Sequence, residues 1–259
     1  MNRGDLLARL IGSIDVEAEV LVIVNRIGPV DPSVEEALAA LVEKPRGPVR
    51  LAVQRMEGNL GVAGSWNRIM DWAEGECLIS NSDIEFSPGV LREAMAAVER
   101  RREVVVHHLW AAACFYVTAD FQRRLGWFDE NFYPAYREDQ EMALRAGALG
   151  VERAILGELE ARITHGVSQT RLSASGPVRR FIGRANQLGG EYFQRRWGVL
   201  PPPGVDIPEK RFPFDDATKS PADWTLDLAM RGKIARLCLE MTGFECPVVF
   251  HRTEGGLCS

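Results

Sequence analysis

The chain has 259 residues, 46% hydrophobic and 26% charged, a globular composition that excludes disordered and fibrous classes and suffices for a full core. Its 31 basic and 36 acidic residues leave a net charge of −5, so charge gives no case for a nucleic-acid partner. The imbalance is regional: residues 1–169 carry 18 basic and 26 acidic side chains, residues 170–259 carry 13 and 10. The acidic part is the better home for a cation, and the tail is the part suited to an anionic surface. Five cysteines (Cys77, Cys114, Cys238, Cys246, Cys258) form no C-x-x-C pair, which argues against a disulfide framework or a zinc knuckle and for a reducing cytosol. The polar start, Met1 to Asp5, has no signal-peptide core, and the longest apolar runs are strand-sized. A soluble, cytoplasmic protein is expected.

In chain order, residues 5–11 predict a short amphipathic helix. Val20–Val24 is a continuous apolar run of the kind a buried parallel strand needs, ending at Asn25 and a Gly-Pro loop. Asp31-Pro32 with early glutamates opens the next helix. Val49–Val53 predicts a second strand, Ile69–Ala73 lies in a helix, and Cys77–Ser80 predicts a third strand. Pro88–Arg101 predicts a helix, Val104–His107 a fourth strand, and Ala111–Thr118 another strand-like segment. Glu138–Ala148 predicts a helix and Ala161–Thr164 a last strand. Strand–helix alternation argues for an α/β sheet with helices on both faces. After about residue 170 the pattern becomes helix and loop, broken at Pro201-Pro202-Pro203-Gly204 and rich in Pro and Phe through Phe214. The expected division is a catalytic α/β domain over 1–169 and a C-terminal helical and loop appendage over 170–259.

Three segments carry chemistry. In Asn59-Leu-Gly61-Val-Ala-Gly64-Ser-Trp-Asn67, two glycines let the backbone approach closely, and the helix start supplies N–H donors suited to phosphate or hydroxyl oxygens. The spacing is neither a dinucleotide fingerprint nor a Walker loop, and a tight strand-to-helix turn is the plain alternative. In Cys77-Leu-Ile-Ser-Asn81-Ser-Asp83, a short apolar strand runs into a carboxylate at its C-terminal end, where open α/β sheets place ligands and where a divalent cation can be held. A turn-capping role is its alternative. In Gly126-Trp-Phe-Asp-Glu130 and Tyr136-Arg-Glu138-Asp139, two carboxylates begin a helix whose dipole favours their ionised form, as a general base requires. His107 and His108, on opposite faces of one strand, are expected to be structural. Trp66, Trp110 and Trp127 flank these segments; core packing is their expected role, with stacking on a sugar as the alternative.

In order and spacing these segments resemble the family 2 glycosyltransferases of GT-A fold, in the rhamnosyltransferase-like branch. The residues that carry the resemblance are Asn59, Gly61, Asn67, Ala73, Gly75, Asn81, Asp83, Gly126, Phe128, Asp129, Glu130, Phe132, Glu138, Asp139 and Arg145, followed by Thr164-His165-Gly166 and Tyr192-Phe-Gln-Arg-Arg-Trp-Gly198. The resemblance spans roughly residues 1–215. It implies a Rossmann-like mixed sheet flanked by helices, and an enzyme that moves a hexose-type sugar from a nucleotide diphosphate sugar to a hydroxyl acceptor with inversion. A saccharide, a polymer, a lipid-linked glycan or a protein could be that acceptor. It implies donor binding by Asn25, Asp31, Asn59, Gly61, Asn67, Asn81 and Asp83. A divalent cation, Mn2+ or Mg2+, falls to Asp83 with His165 as second ligand. Asp139 takes the role of catalytic base, with Glu138 contacting the acceptor or orienting the base. Two departures stand out. Members begin with an apolar strand that Asn2-Arg3-Gly-Asp-Leu-Leu only follows, so the first strand is expected to be missing. Asn81-Ser-Asp83 also replaces the common D-x-D, leaving Asp83 the one anionic ligand there. A catalytically impaired carbohydrate- or nucleotide-binding module of the same fold is therefore the alternative. Nucleotidylyl transfer lacks its Gly-rich basic loop. Residues 178–198 mix arginines with aromatic residues and are expected to pack over the acceptor side of the cleft, with weak membrane-surface contact as a further expectation.

Overall fold

The computed structural model describes residues 3–44, 47–166, 175–198, 222, 224–245, 252–253 and 256–257. The expected boundary near 170 and the Pro/Phe-rich stretch lie outside them, as do Cys246 and Cys258. The elements in order are α1 (Gly4–Gly12), β1 (Ala18–Val24), α2 (Pro32–Glu43), β2 (Val49–Arg55), α3 (Gly61–Trp72), β3 (Cys77–Ser80), β4 (Ile84–Phe86), α4 (Val90–Arg100), β5 (Val106–Trp110) and β6 (Cys114–Val117). Then follow α5 (Phe121–Leu125), α6 (Glu138–Ala148), β7 (Arg153–Ile155), α7 (Gly157–Glu160), β8 (Ile163–His165), α8 (Gly176–Trp197), α9 (Leu228–Thr242), β9 (Arg252–Thr253) and β10 (Gly256–Leu257). The chain is an α/β protein with a mixed sheet flanked by helices, compatible with a Rossmann-like fold.

Local chemistry explains the element ends. Asp31 accepts a hydrogen bond from the Ser33 N–H at 2.9 Å, and Pro32 presets the first turn of α2. Ser175 and Asp227 cap α8 and α9 in the same way, through the N–H groups of Val178 and Met230. Both helices stop at a left-handed glycine, Gly198 and Gly243. The three-residue strand β8 overlaps the last strand expected over Ala161–Thr164, whereas β4 and β7 and the short helices α5 and α7 go beyond the expected set, because so few residues show no period.

The strands form separate ladders. β1 and β2 pair in parallel, Ala18 opposite Val49 through Val24 opposite Arg55. A four-stranded mixed sheet has the order β3-β6-β5-β7, with β6 antiparallel to both its neighbours and β5 parallel to β7. β4 and β8 pair antiparallel with Ile84 opposite His165, which sets Asp83 beside that histidine. Under the four-stranded sheet, Trp66 meets Phe115 and Phe128 edge-on, and Phe121 stacks on Phe128 at 5.1 Å. Leu7 and Ile11 of α1 and Val34, Leu38 and Leu41 of α2 form a second apolar cluster with β1 and β2. α8 and α9 pack on each other through Phe181, Ala185, Met230, Ile234 and Cys238, with Tyr133.

Candidate active site

The C-terminal ends of parallel strands are where an α/β sheet leaves backbone groups and loops free to meet a ligand. Here a cleft of about 1330 Å³ opens at those ends and is lined by Asn25 after β1, Asn59 and Gly61 after β2, and Asn81 and Asp83 after β3. Glu138 and Asp139 at the start of α6 and His165 at the end of β8 line it too. Eight of the ten residues expected at a site thus share one cleft. Asp31 and Asn67 lie elsewhere. Asp31 is the cap of α2, and Asn67 is fully buried: its amide donates to the Phe128 carbonyl and to Glu130 Oε1, and its oxygen accepts from the Phe128 N–H. It straps the Gly126–Glu130 segment to α3.

The start of α3 differs from the expectation of open N–H donors. The Leu60 N–H donates to Asn25 Oδ1 at 3.0 Å, the Gly61 N–H to Asn59 Oδ1 at 2.8 Å, and the Val62 N–H to the Pro134 carbonyl at 2.8 Å. Asn25 also donates to Ser65 Oγ at 2.6 Å. Gly61 is required for a packing reason: its φ is +74°, and a Cβ there would stand 2.8 Å from the Tyr133 ring. Asn25 therefore fastens the end of β1 to the start of α3, Asn59 caps that start, and the Val62–Pro134 bond ties it to the loop before α6.

The same cleft holds an unsatisfied pair. Asp83 is 6% exposed, and its Oδ1 is 3.5 Å from His165 Nε2. Asp83 Oδ2 and both His165 ring nitrogens are buried without a hydrogen-bond partner. Buried polar atoms are nearly always paired, so orphans that cluster in a cleft are candidates for an external ligand. The His165 ring lies 4.3 Å from that of Trp110, which lines the cleft as well and so does more than pack the core. Among the described residues, no three His, Cys, Asp or Glu side chains gather as a metal cluster. Asp83 and His165 supply two ligands, and a cation held there would take the rest from a bound anion or water.

Immediately before α6, Tyr136 and Arg137 both hold left-handed backbone, φ +80° and +79°. Two adjacent non-glycine residues in that region cost about 1–3 kcal/mol each, and such strain clusters at sites where geometry is fixed by function. It turns Glu138 and Asp139 toward the cleft. Glu138 is 6% exposed with Oε2 unpartnered, and burial, reinforced by the Asp139 charge, pushes its carboxyl up to about 8. Glu138 therefore carries a proton at neutral pH.

The remaining motif residues build the frame. Tyr192 OH donates to Asp129 Oδ2 at 2.7 Å, and Arg196 Nε donates to Glu141 Oε1 at 3.1 Å. Arg145 pairs with Glu141 and donates to the Leu125 carbonyl at 2.7 Å. Burial raises the Asp129 carboxyl, and the Arg196 charge opposes it. Val178 and Ile182 of α8 line the cleft, and Arg179, Arg180, Arg184 and Arg195 are exposed. His107 and His108 each face a backbone carbonyl, those of Val104 and Ala111. Burial pushes the Cys77 and Cys114 thiols up to about 12, which leaves them inert. No helix among the described residues is long and apolar enough to cross a membrane. Compared with known proteins, the chain matches no family model, no curated sequence and no solved structure.

Proposed function

We propose that the protein is an inverting glycosyltransferase of GT-A type that moves a sugar from a nucleotide diphosphate sugar to a hydroxyl acceptor with the help of a divalent cation. The observation that carries this reading is the meeting in one cleft of an orphaned Asp83–His165 pair with the Glu138–Asp139 pair. Asp83 and His165 would hold Mn2+ or Mg2+, and the ion supplies neutralisation of the leaving diphosphate. Asn81, beside them, offers an amide to a ribose or sugar hydroxyl. Glu138 keeps its proton at neutral pH, so it donates a hydrogen bond to the acceptor and cannot accept a proton there. That task falls to Asp139, which takes the proton of the acceptor hydroxyl as it attacks the sugar from the face opposite the diphosphate.

Asp139→Asn should lower turnover by about 10²–10⁴ with donor affinity nearly unchanged, because base catalysis acts on the transition state. Glu138→Gln should cost less, since an amide still donates. Turnover of a nucleotide-sugar panel and donor calorimetry read both. Near-normal turnover in both variants would sink the assignment of the base. One observation favours the alternative, an impaired binding module: the N–H groups at the start of α3 already serve protein acceptors. Slow donor hydrolysis by the unaltered chain separates the two, since a binding module performs none.

A further inference from the structure

His108 lies on β5 two residues after Val106, so both side chains stand on one face of the four-stranded sheet. Val106, Phe115 and Val117 share that face with Met142 and Ala146 of α6, which pack against them. The His108 ring is 6.0 Å from that of Phe115. Asp139 precedes Met142 by three residues and Ala146 by seven, the spacing of one helical stripe. It also lines the cleft. Asp139 thus belongs both to the cleft and to the stripe of α6 that packs on the His108 face.

Hydrogen bonding fixes how the ring presents its nitrogens. Nδ1 stands 2.9 Å from the Ala111 carbonyl oxygen, which only accepts, so Nδ1 carries the hydrogen and Nε2 of the neutral ring holds a lone pair. That bond serves the cleft wall. Ala111 holds left-handed backbone, φ +42°, between β5 and β6, and Trp110, Ala111 and Ala112 line the cleft. The other nitrogen has no such bond: His108 is 8% exposed, and its Nε2 is buried without a hydrogen-bond partner. A buried lone pair without a donor is costly, and a proton is what it lacks. His107 keeps an unpartnered nitrogen too, but on the opposite face, where its ring is 6.5 Å from that of Tyr116 and its charged neighbours are Arg101 and Glu103.

The titratable and charged groups around His108 are Asp139 of α6, Arg153 of β7 and His107 on its own strand. β6 presents Phe115 and Val117 to this face, and Glu158 and Glu160 of α7 are exposed. Burial chiefly holds the ring below the ordinary histidine range, and Arg153 adds to this, while the Ala111 carbonyl and the Asp139 charge oppose it. His108 is therefore neutral at neutral pH, with Nε2 ready to accept.

We propose that His108 is the positioning partner of Asp139, with Nε2 receiving, directly or across one water, the proton that Asp139 takes from the acceptor hydroxyl. The inference rests on Asp139 as the base of the proposed transfer. The hydroxyl O–H bond breaks toward Asp139 as its oxygen bonds to the sugar carbon, and the bond from that carbon to the diphosphate oxygen breaks. The proton then passes to Nε2, which restores the Asp139 carboxylate and leaves an imidazolium. It departs to water with the products.

The test reads the histidine ring nitrogens by NMR in the full chain, the His108 signals being assigned by their loss in His108→Asn. At neutral pH Nδ1 should carry the hydrogen and Nε2 a free lone pair. Asp139→Asn should lower the pH at which His108 protonates by about half a unit or more, because it removes the charge that favours the imidazolium. Glu138→Gln should leave that pH unchanged, since Glu138 is neutral in this range. Turnover supplies the second arm. His108→Asn places an amide where Nδ1 stands, which keeps the Ala111 bond and loses Nε2; His108→Gln does the reverse. His108→Asn should lower turnover by roughly tenfold or more, and His108→Gln by less. A merely structural ring predicts the opposite order. An Nε2–H tautomer, an unmoved titration in Asp139→Asn, or that opposite order overturns the proposal. The NMR arm involves no sugar donor, so loss of the coupling sinks this inference alone. Normal turnover in Asp139→Asn with the coupling intact sinks the proposed function, and with it the role given to His108.

Discussion

In β5 and β6 every residue from Val106 to Leu109 and from Cys114 to Val117 is buried, whereas β1, an equally apolar strand, fully buries only Val22 and Val24. Both are runs that a sequence reader assigns to the interior. The four-stranded half achieves it because β6 is flanked on both sides and its Phe115 ring packs against Phe128. Among the described residues, the two-stranded half has α1 and α2 over one apolar cluster and no third strand beside it. Apolar composition thus states a demand for cover, and neighbours decide how far the demand is met.

Mutations should feel this difference. Phe128→Ala, in the closed half, should destabilise by about 3–5 kcal/mol through the cavity it leaves, read by chemical denaturation. Glu138 should next reveal itself through pH. Its carboxyl sits near 8 in the folded protein against an ordinary 4.5, so the folded state keeps a proton that the unfolded chain releases. Its effect on stability is most favourable below pH about 4.5 and worsens as pH rises to about 8, so Glu138→Gln should gain on the parent across that window. Denaturation midpoints at pH 5 and 8 check the sign, and a constant difference between the two proteins would remove the buried proton. In the open half, Asp31→Ala should cost about 1 kcal/mol through the lost cap, visible as a modest fall in melting temperature. Smallest of all, Leu21→Ala in β1 should cost less than about 1 kcal/mol, because the half-buried side chain has little contact to lose. A loss as large as that of Phe128→Ala would erase the contrast between the halves.

Much of the fold was legible because long elements carry a period or a cap. The Val20–Val24 run, the Asp31-Pro32 start and the Glu138 helix all stand where their residues predict. β4 and β7 did not announce themselves, yet β4 pairs with the expected last strand, β8, and so brings Asp83 to His165, residues more than eighty positions apart in the chain. The candidate site was legible where residue type matched need, as for Asp83, Glu138 and Asp139. It was misleading where a polar residue serves the frame. Asn67 looks like a ligand group in sequence and is a fully buried strap, because only the fold reveals the Phe128 backbone it serves. Trp110 was legible in part: it packs against the core as an aromatic residue should, and nothing local says that it also faces His165.

The buried polar knot around Asn131 bears on where this chain can be cut. Its amide donates to Asp129 Oδ1, to Tyr192 OH on α8 and to the Thr225 carbonyl, while its Oδ1 accepts from the Asp227 N–H at the cap of α9. Three separate stretches of chain thus meet on one side chain, and removing any of them leaves buried donors and acceptors stranded. A protease nick between residues 166 and 175 should therefore yield two pieces that travel together through a sizing column. A gene shortened at the same point should yield a sticky, misfolding product, since the first piece alone would present the Asp129–Glu141 carboxylates and the Phe132 face to water.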